Sequence, residues 1–423
     1  MDSFSFAPVS RRAFMRAGAL ALVSLGLDPL FLDRAAFALE PARAARRRVL
    51  VCLFQRGAVD GLSMVVPHGD PTYYRERPRI AIPADQVVDL DGHFGLHPAL
   101  AGLMPMWRQG ALAPVLAVGS PDLTRSHFDA QDYMESGTPG VKSTADGWLN
   151  RCAQHAAEHR SSTVFRSVAF GPQLPRILAG SAPALAISDL RAFGIRAGGA
   201  GARDKLTQAF EELYNESATG IVASSAAEGF EAVQTLQRVQ PSDYRPEHGA
   251  EYPKGKLGSS LMQIAQLIKA DVGLEQAFAD AGGWDTHIAQ GAEQGQLATR
   301  LRELGDALAA FATDLGDRMS DVVVLTMSEF GRTVAENGSI GTDHGHATAM
   351  FVMGGGVRGG RVAGRWPGLD PAQQFQGRDL AVTTDFRDLF SEILVRHSGA
   401  TDLGAIFPGH DASSARFPGV MSA

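Results

Sequence analysis

The segment 341–347 carries the densest set of metal-ligand side chains in the chain. Within its sequence, GTDHGHA, Asp343, His344 and His346 place one carboxylate and two imidazoles inside four consecutive positions. The two glycines of this segment allow sharp backbone turns, so side chains that a regular strand would send to opposite faces can converge. We therefore predict a loop that binds a metal ion.

Further candidate ligands lie in three other segments. Asp285 and His287 belong to GGWDTH, Glu329 directly follows an apolar run, and Asp60 comes shortly after another one. In open α/β sheets, ligands bind beyond the carboxyl ends of the strands. We expect Asp60, Asp285, His287 and the 343–346 loop to place polar atoms within about 5 Å of a common point, at metal–ligand distances of about 2.0–2.6 Å.

These ligand types predict a divalent metal ion. Mixed oxygen and nitrogen ligands suit zinc, manganese or iron, whereas an oxygen-dominated site suits calcium or magnesium. Structural alternatives exist for each residue: a hydrogen-bonding role for a single histidine, a turn role for Asp60 beside Gly61, and a strand-end ion pair between Glu329 and Arg332.

Three more residues are candidates for catalysis. Ser126 precedes a helical stretch, where backbone N–H groups favour an anion. Its hydroxyl needs a metal or a base such as His127 to become nucleophilic. Arg56 is a candidate for binding an anionic substrate. The structural alternatives are a helix N-cap for Ser126 and a surface salt bridge for Arg56.

The N-terminus resembles a twin-arginine export signal. The sequence SRRAFMR at 10–16 precedes an apolar stretch at 17–27 that is too short to span a bilayer stably, and AFA at 36–38 has the small-x-small pattern of a cleavage site. We predict a signal peptide over 1–38, the twin-arginine machinery as a partner, a periplasmic or extracellular location, and no stable membrane span after cleavage. An uncleaved membrane anchor or a chance arginine pair is the alternative.

Charge and cysteine content narrow the function classes. The chain has 39 basic and 46 acidic residues, a net charge of −7, which argues against a nucleic-acid partner. Only two cysteines are present, Cys52 and Cys152, and this excludes a disulfide framework. Cys52 lies in an apolar run that predicts a buried thiol, and whether the two cysteines pair stays open.

Apolar runs and helical patterns alternate along the chain, which favours a mostly parallel sheet in an α/β fold. Strands are predicted at 49–54, 113–118, 166–170, 184–188, 321–327 and 348–353, with a further one at 274–281. Helices are predicted at 203–217, 224–239, 258–271, 289–316 and 384–397. Thr384 or Asp385 is expected to cap the last helix.

Four motifs carry a family resemblance. Following the export signal in order, SHFDAQD at 126–132, GGWDTH at 282–287, SEFGRT at 328–333 and GTDHGHA at 341–347 resemble the domain-of-unknown-function 1501 family over nearly the whole mature chain. That family is similar in layout to the alkaline phosphatase and sulfatase superfamily. The resemblance implies one three-layer alkaline-phosphatase-like domain over 39–423, with a mostly parallel central sheet flanked by helices and a mainly helical insertion near 200–272.

The resemblance also implies roles for individual residues. Asp60 resembles the first metal-binding Asp of that superfamily, and Ser126 its nucleophile position. Asp285 and His287 resemble its first Asp/His pair, and His344 or His346 its late histidine. Where the superfamily has an Asp-His or Asp-Asn pair on a late strand, this chain has Glu329-Phe330, so a ligand is missing there unless Asp343 replaces it.

The leading functional prediction is an exported metal-dependent hydrolase of phosphate or sulfate esters, acting on an anionic small molecule or polymer. The alternative is a non-catalytic exported binding or assembly protein that retains the fold and a structural metal. A redox protein ranks last, since the sequence has no haem, cluster or dinucleotide motif.

Overall fold

The computed structural model describes residues 47–155, 163–191 and 244–422, together with residue 235. Its strands are β1 (Val49–Gln55), β2 (Val65–Val66), β3 (Val88–Asp89), β4 (Gly95–Leu96), β5 (Leu112–Gly119), β6 (Ser167–Phe170), β7 (Leu185–Ile187), β8 (Gln276–Ala281), β9 (Val322–Met327), β10 (Thr348–Gly354) and β11 (Thr384–Asp385). Every predicted strand has a counterpart among them.

Eight of these strands form one sheet, in the order β11-β5-β10-β9-β1-β8-β6-β7. The central strand β1 pairs in parallel with β8 and β9. Strand β6 pairs in parallel with β7 and β8, and β5 pairs in parallel with β11. Only β10 runs antiparallel to its neighbours, β5 and β9. The prediction of a mostly parallel sheet in an α/β fold is therefore confirmed. The short β2, β4 and β3 form a separate small sheet.

The α-helices of the described residues are α1 (Gly61–Met64), α2 (Pro71–Glu76), α3 (Met104–Arg108), α4 (His127–Ser136), α5 (Trp148–Gln154), α6 (Lys256–Lys269), α7 (Gln296–Leu315), α8 (Phe386–Ile393) and α9 (Leu403–Ile406). Short 3₁₀ helices occupy Pro98–Leu103, Arg176–Leu178, Gly316–Asp321 and Ser414–Arg416, and a π-helical turn, Leu394–Ser398, continues α8.

Three predicted helices can be compared with the structure. The one at 258–271 corresponds to α6. The one predicted at 289–316 begins only at Gln296, because Gly291 and Gly295 adopt φ of 84° and 120° and keep the preceding segment out of the helix. In the last one, Asp385 caps α8 by accepting a hydrogen bond from the Arg387 N–H, while Thr384 belongs to β11.

Some predictions concern other parts of the chain. The export signal at 1–38 and the helices at 203–217 and 224–239 lie outside the described residues, apart from residue 235. Within the described part, no helix is long and apolar enough to cross a membrane.

Helices cover both faces of the sheet, as its fully apolar central strands require. On β1, Val49, Val51 and Leu53 pack on the face covered by α6 and α7. The alternate residues Leu50, Cys52 and Phe54 pack on the face covered by α5 and α8. Burial of Cys52 raises the pKa of its thiol, in line with the predicted buried thiol.

The topology gathers the polar segments at one edge. Strands β1, β5, β8 and β9 run in the same direction, so their carboxyl ends share that edge, and antiparallel β10 begins there. The segments that meet are therefore 56–60, 120–126, 282–295, 328–333 and 341–347.

Candidate metal centre

Four polar atoms converge where these loops meet. Asp285 Oδ1 lies 3.0 Å from His287 Nε2 and 3.3 Å from His344 Nε2. His127 Nε2, at the start of α4, lies 3.5 Å from the same oxygen. The ligand atoms of His127, Asp285 and His344 all lie within 4.8 Å of one another. Three ring nitrogens thus lie within 3.5 Å of one carboxylate oxygen, and we call the space among these atoms the common point.

Each of the three imidazoles is oriented through its other nitrogen. His127 Nδ1 lies 2.8 Å from Glu329 Oε1, and His287 Nδ1 lies 3.0 Å from Asp343 Oδ1. His344 Nδ1 lies 2.8 Å from a backbone carbonyl oxygen. Each of these oxygens can accept a proton carried on Nδ1, and in that tautomer the Nε2 lone pairs are available to a cation. Metal-binding histidines are held in this way.

The arrangement of the Nε2 atoms favours a cation between them. His287 Nε2 and His344 Nε2 are 2.9 Å apart, a distance at which two unprotonated nitrogens repel each other. His127 Nε2 is buried and has no hydrogen-bond partner among the described residues. Because a buried polar atom without a partner costs free energy, a shared cation would satisfy all three nitrogens at once.

The electrostatics of the site suit the same role. Burial by itself raises the pKa of Asp285, but the hydrogen bond and positive charge of Arg332 outweigh burial and lower this pKa to about 2. Desolvation lowers the pKa of His344. The hydrogen bond to Glu329 raises the pKa of His127, because the carboxylate stabilises positive charge on the ring. The same carboxylate stabilises a cation bound at the opposite nitrogen.

The site opens to solvent on one side. The side chain of Asp285 is 44% exposed, whereas those of His127 and His344 are 23% and 24% exposed. A metal centre with an exposed ligand has room for a further ligand such as a substrate oxygen, and catalytic metal sites share this property.

Glu329 contributes no atom to the common point and instead supports the ring of His127. Its fully buried carboxylate accepts hydrogen bonds from His127, from the Gln131 amide at 2.8 Å and from the Gly57 N–H at 2.8 Å. Burial raises the pKa of Glu329, but these donors outweigh it and lower the pKa overall. The structure therefore places this predicted ligand behind His127 as its orienting partner.

Asp343 has the corresponding role for His287. Its carboxylate also accepts a hydrogen bond from the Asn337 amide at 3.0 Å, and this bond is the main reason why the pKa of Asp343 is lowered. The predicted loop 341–347 thus supplies one converging nitrogen, from His344, and one supporting carboxylate.

Asp60 lies apart from the converging atoms, contrary to the sequence prediction. It is fully buried, and its carboxylate forms a two-point ion pair with Arg77, with N···O distances of 2.6 and 3.0 Å. Ser63 Oγ and Gln290 Nε2 donate to it as well, both at 2.7 Å. Asp60 is not in the group of His127, Asp285 and His344, whose ligand atoms lie within 4.8 Å of one another.

His346 is also separate from the three converging imidazoles. Its ring stacks on Phe375 with centroids 4.5 Å apart, and burial lowers its pKa. His344 and His346 alternate along the chain as they approach β10, so one ring faces the site and the other packs against Phe375.

The predicted catalytic residues are distributed as follows. Ser126 is exposed at the N-cap of α4 and makes no side-chain capping hydrogen bond. His127 points at the common point and is better placed as a ligand than as a base. Arg56 Nη1 contacts Glu135 at 2.9 Å and Gln131 at 3.0 Å, so Arg56 supports Glu329 through Gln131.

Sequence reasoning missed the role of Arg332. This side chain is fully buried and donates five hydrogen bonds, to Asp285 Oδ1 and to four backbone carbonyl oxygens. It therefore pairs with Asp285 and not with Glu329. Its position five residues after a strand end is the only signal that the sequence offered.

Replacing Glu329 with glutamine is expected to weaken metal affinity about 10- to 100-fold, because the orienting negative charge behind His127 is lost. Competition with a fluorescent chelator measures this affinity, with Glu247→Gln, at a position 61% exposed and outside the site, as the control. Equal affinities in the two variants would contradict the supporting role of Glu329.

A family model described as "Protein of unknown function (DUF1501)" matches residues 115–413, a range that contains His127, Asp285, His287 and His344. No curated protein matches the chain closely enough to indicate homology. Because the family match extends over more than half of the sequence, the chain belongs to the DUF1501 family.

Proposed function

We propose that this protein is a metal-dependent hydrolase of phosphate or sulfate esters, with a metal centre formed by His127, Asp285, His287 and His344. The observation that carries this proposal is the convergence of three Nε2 atoms on Asp285 Oδ1, each ring being held at Nδ1 by an acceptor. Three nitrogens and one oxygen suit zinc, manganese or iron better than calcium or magnesium.

The residues around the centre fit an anionic substrate. A bound divalent cation supplies a Lewis acid that polarises an ester oxygen and lowers the pKa of a bound hydroxyl. The first turn of α4 presents backbone N–H groups beside His127, which favour a negative charge. Exposed Ser126 lies at the same helix terminus and is the candidate nucleophile.

Elemental analysis and ester turnover test this proposal together. We expect wild-type protein to hold about one metal ion per chain and to turn over para-nitrophenyl phosphate or sulfate. The variant Asp285→Ala/His287→Ala should lose the metal and lower turnover about 10³-fold or more. The matched control is His68→Ala/Asp89→Ala, which removes another His–Asp pair, also 3.0 Å apart, outside the site.

Each outcome decides between functions. Loss of metal and of turnover in the first variant alone supports the hydrolase. Metal-loaded wild-type protein without turnover favours the second candidate, a binding or assembly protein with a structural metal. The ion pair that engages Asp60, which resembles a superfamily metal ligand, supports that second candidate. Absence of metal in wild-type protein overturns both metal-based functions.

The remaining parts of the proposal concern export and architecture. The twin-arginine pattern at 10–16 supports export to the periplasm or outside the cell. The mostly parallel sheet with helices on both faces supports an alkaline-phosphatase-like arrangement. Fractionation of cells that express the Arg11→Lys/Arg12→Lys variant tests the export route.

A further inference from the structure

Exposed apolar residues lie next to site residues in the sequence. The exposed large apolar residues of the described chain are Leu123, Phe128, Val141, Ile288 and Ile340. Three of these, Phe128, Ile288 and Ile340, lie within three positions of His127, His287 or Asp343, and we call them the apolar rim. Phe128 directly follows His127 and is 90% exposed, and Ile288 directly follows His287 and is 66% exposed.

The rim residues belong to two segments that meet at His344. The His344 ring contacts both other imidazoles, with centroids 4.3 Å from His127 and 4.7 Å from His287. Phe128 and Ile288 each directly follow one of these two histidines in the chain. Ile340 joins the Ile288 segment, since its carbonyl oxygen accepts a hydrogen bond from the Gln290 N–H at 2.8 Å.

The backbone at Ile340 is held in a conformation that costs free energy. Its φ of 58° lies in the left-handed region, which β-branched residues rarely adopt. Asn337 stabilises this turn, because its side-chain oxygen accepts from the Ser339 N–H at 2.9 Å and from the Gly341 N–H at 3.1 Å. An apolar side chain that is strained and 40% exposed beside a site is more consistent with contact to a ligand than with folding.

Cationic groups lie beside this apolar surface. The Arg378 side chain is 43% exposed, and its guanidinium donates to the backbone carbonyl of His344. Arg125, which is 30% exposed, orients His344 through its own carbonyl oxygen. Asp379 pairs with both guanidinium groups, at N···O distances of 2.6 Å for Arg125 and 3.5 Å for Arg378, so a bound metal ion would supply most of the positive charge for an anionic head group.

We propose that the site takes an amphiphilic ester, with its phosphate or sulfate head at the metal centre and its alkyl chain on the apolar rim. This inference rests on the proposed function and adds the chemical class of the alcohol. Phe128 and Ile288 provide the apolar contact, and the exposed side of Asp285 leaves room for the head group. The occupant is a single amphiphile and not a membrane surface.

Calorimetric binding of two phosphates to metal-loaded protein tests the rim. Octyl phosphate, kept below its micellar concentration, is expected to bind at least about tenfold more tightly than methyl phosphate, since each buried methylene adds to affinity. In Phe128→Ser/Ile288→Ser, this ratio should fall to about twofold or less. Val141→Ser, which replaces a 46% exposed apolar residue outside the rim, is the matched control and should keep the wild-type ratio.

The outcomes separate the two proposals. Equal affinity for the two phosphates, or failure to bind either, overturns the inference about the rim. Preference for octyl phosphate without turnover of any ester overturns the hydrolase and leaves the rim as a binding surface. Binding to phosphatidylglycerol vesicles but not to monomeric octyl phosphate overturns the inference in favour of a membrane surface.

Discussion

Replacing Asp60 with asparagine is expected to lower the free energy of unfolding by about 3–5 kcal/mol at neutral pH. Asp60 and Arg77 are both fully buried, and two guanidinium nitrogens donate to the carboxylate. Asparagine keeps the size of the side chain but removes its charge. The variant would therefore leave the Arg77 charge buried without a counter-charge, which is the costly way to break such a pair.

The same ion pair predicts a pH dependence with a defined sign. Burial raises the pKa of Asp60, but the charge of Arg77 and the hydrogen bonds to the carboxylate outweigh burial and lower the pKa overall. A carboxyl group with a lowered folded pKa stabilises the protein above its unfolded pKa of about 3.9, and this contribution is lost as the pH falls. Wild-type protein should lose this stability below about pH 4, and Asp60→Asn should lack this part of the loss.

Urea unfolding followed by circular dichroism measures both effects. Asp129→Asn is the control, because Asp129 forms a surface pair with Lys142, whose side chain is 66% exposed, and should change stability by less than about 1 kcal/mol. If Asp60→Asn costs no more than the control, the ion pair is not what stabilises this region. Loss of metal without loss of stability would restore Asp60 as a ligand.

Much of the sheet could be predicted because its strands are buried on both faces. The run at 49–54 is apolar throughout, and the run at 322–327 is apolar except for Thr326. This pattern, bounded by turn residues, distinguishes buried strands from surface strands. The start of α7 was predicted too early because apolar spacing continues through 289–295. The positive φ of two glycines there is a backbone property that spacing does not show.

The site was partly predictable for a topological reason. Asp285 and His287 follow the end of β8, and His344 precedes the start of β10. Because the end of β8 and the start of β10 lie at the same edge of the sheet, the topology brings these residues close together. His127 was noted as a base for Ser126. Its direction depends on how α4 begins, because the first helical residue turns its side chain back toward the sheet edge.

Residue spacing did not predict the ion pair of Asp60. Its partner Arg77 lies 17 positions later, just after α2, where no periodic pattern signals a contact. A buried carboxylate that pairs with arginine and one that binds metal are alike in sequence. Only the position of the arginine distinguishes them, and the tertiary fold sets that position.

Asp60 is connected to the loops of the candidate metal centre through a buried network. Gln290 Nε2 donates to Asp60 Oδ2 at 2.7 Å, while its Oε1 accepts from Thr286 Oγ1 at 2.8 Å and from Thr342 Oγ1 at 2.7 Å. Thr286 lies between Asp285 and His287 in the chain, and Thr342 directly precedes Asp343. The network thus links the two loops that carry Asp285 and Asp343 to the buried Asp60–Arg77 ion pair. This link restricts the motion of both loops.

Arg332→Lys is expected to lower the free energy of unfolding by about 3 kcal/mol or more, and to weaken metal binding as well. The guanidinium of Arg332 reaches five acceptors in three segments, among them Ala58 O at 2.7 Å and Thr342 O at 3.1 Å. Lysine keeps the charge but has a single nitrogen, so it cannot span these acceptors. Buried carbonyl groups would lose their donors, and Asp285 would lose the partner that positions Oδ1.

Two comparison variants separate the effects of folding from those of ligation. His287→Ala removes a ligand whose side chain is 38% exposed, so it should lose metal while the metal-free protein keeps its unfolding free energy within about 1 kcal/mol. Arg300→Lys, at a side chain 45% exposed, should change neither property. Unfolding in chelator, followed by metal titration, distinguishes the three variants. If Arg332→Lys lost metal but kept its stability, like His287→Ala, Arg332 would serve only to position Asp285. If it changed neither property, like Arg300→Lys, the hydrogen bonds of the buried Arg332 guanidinium would be dispensable.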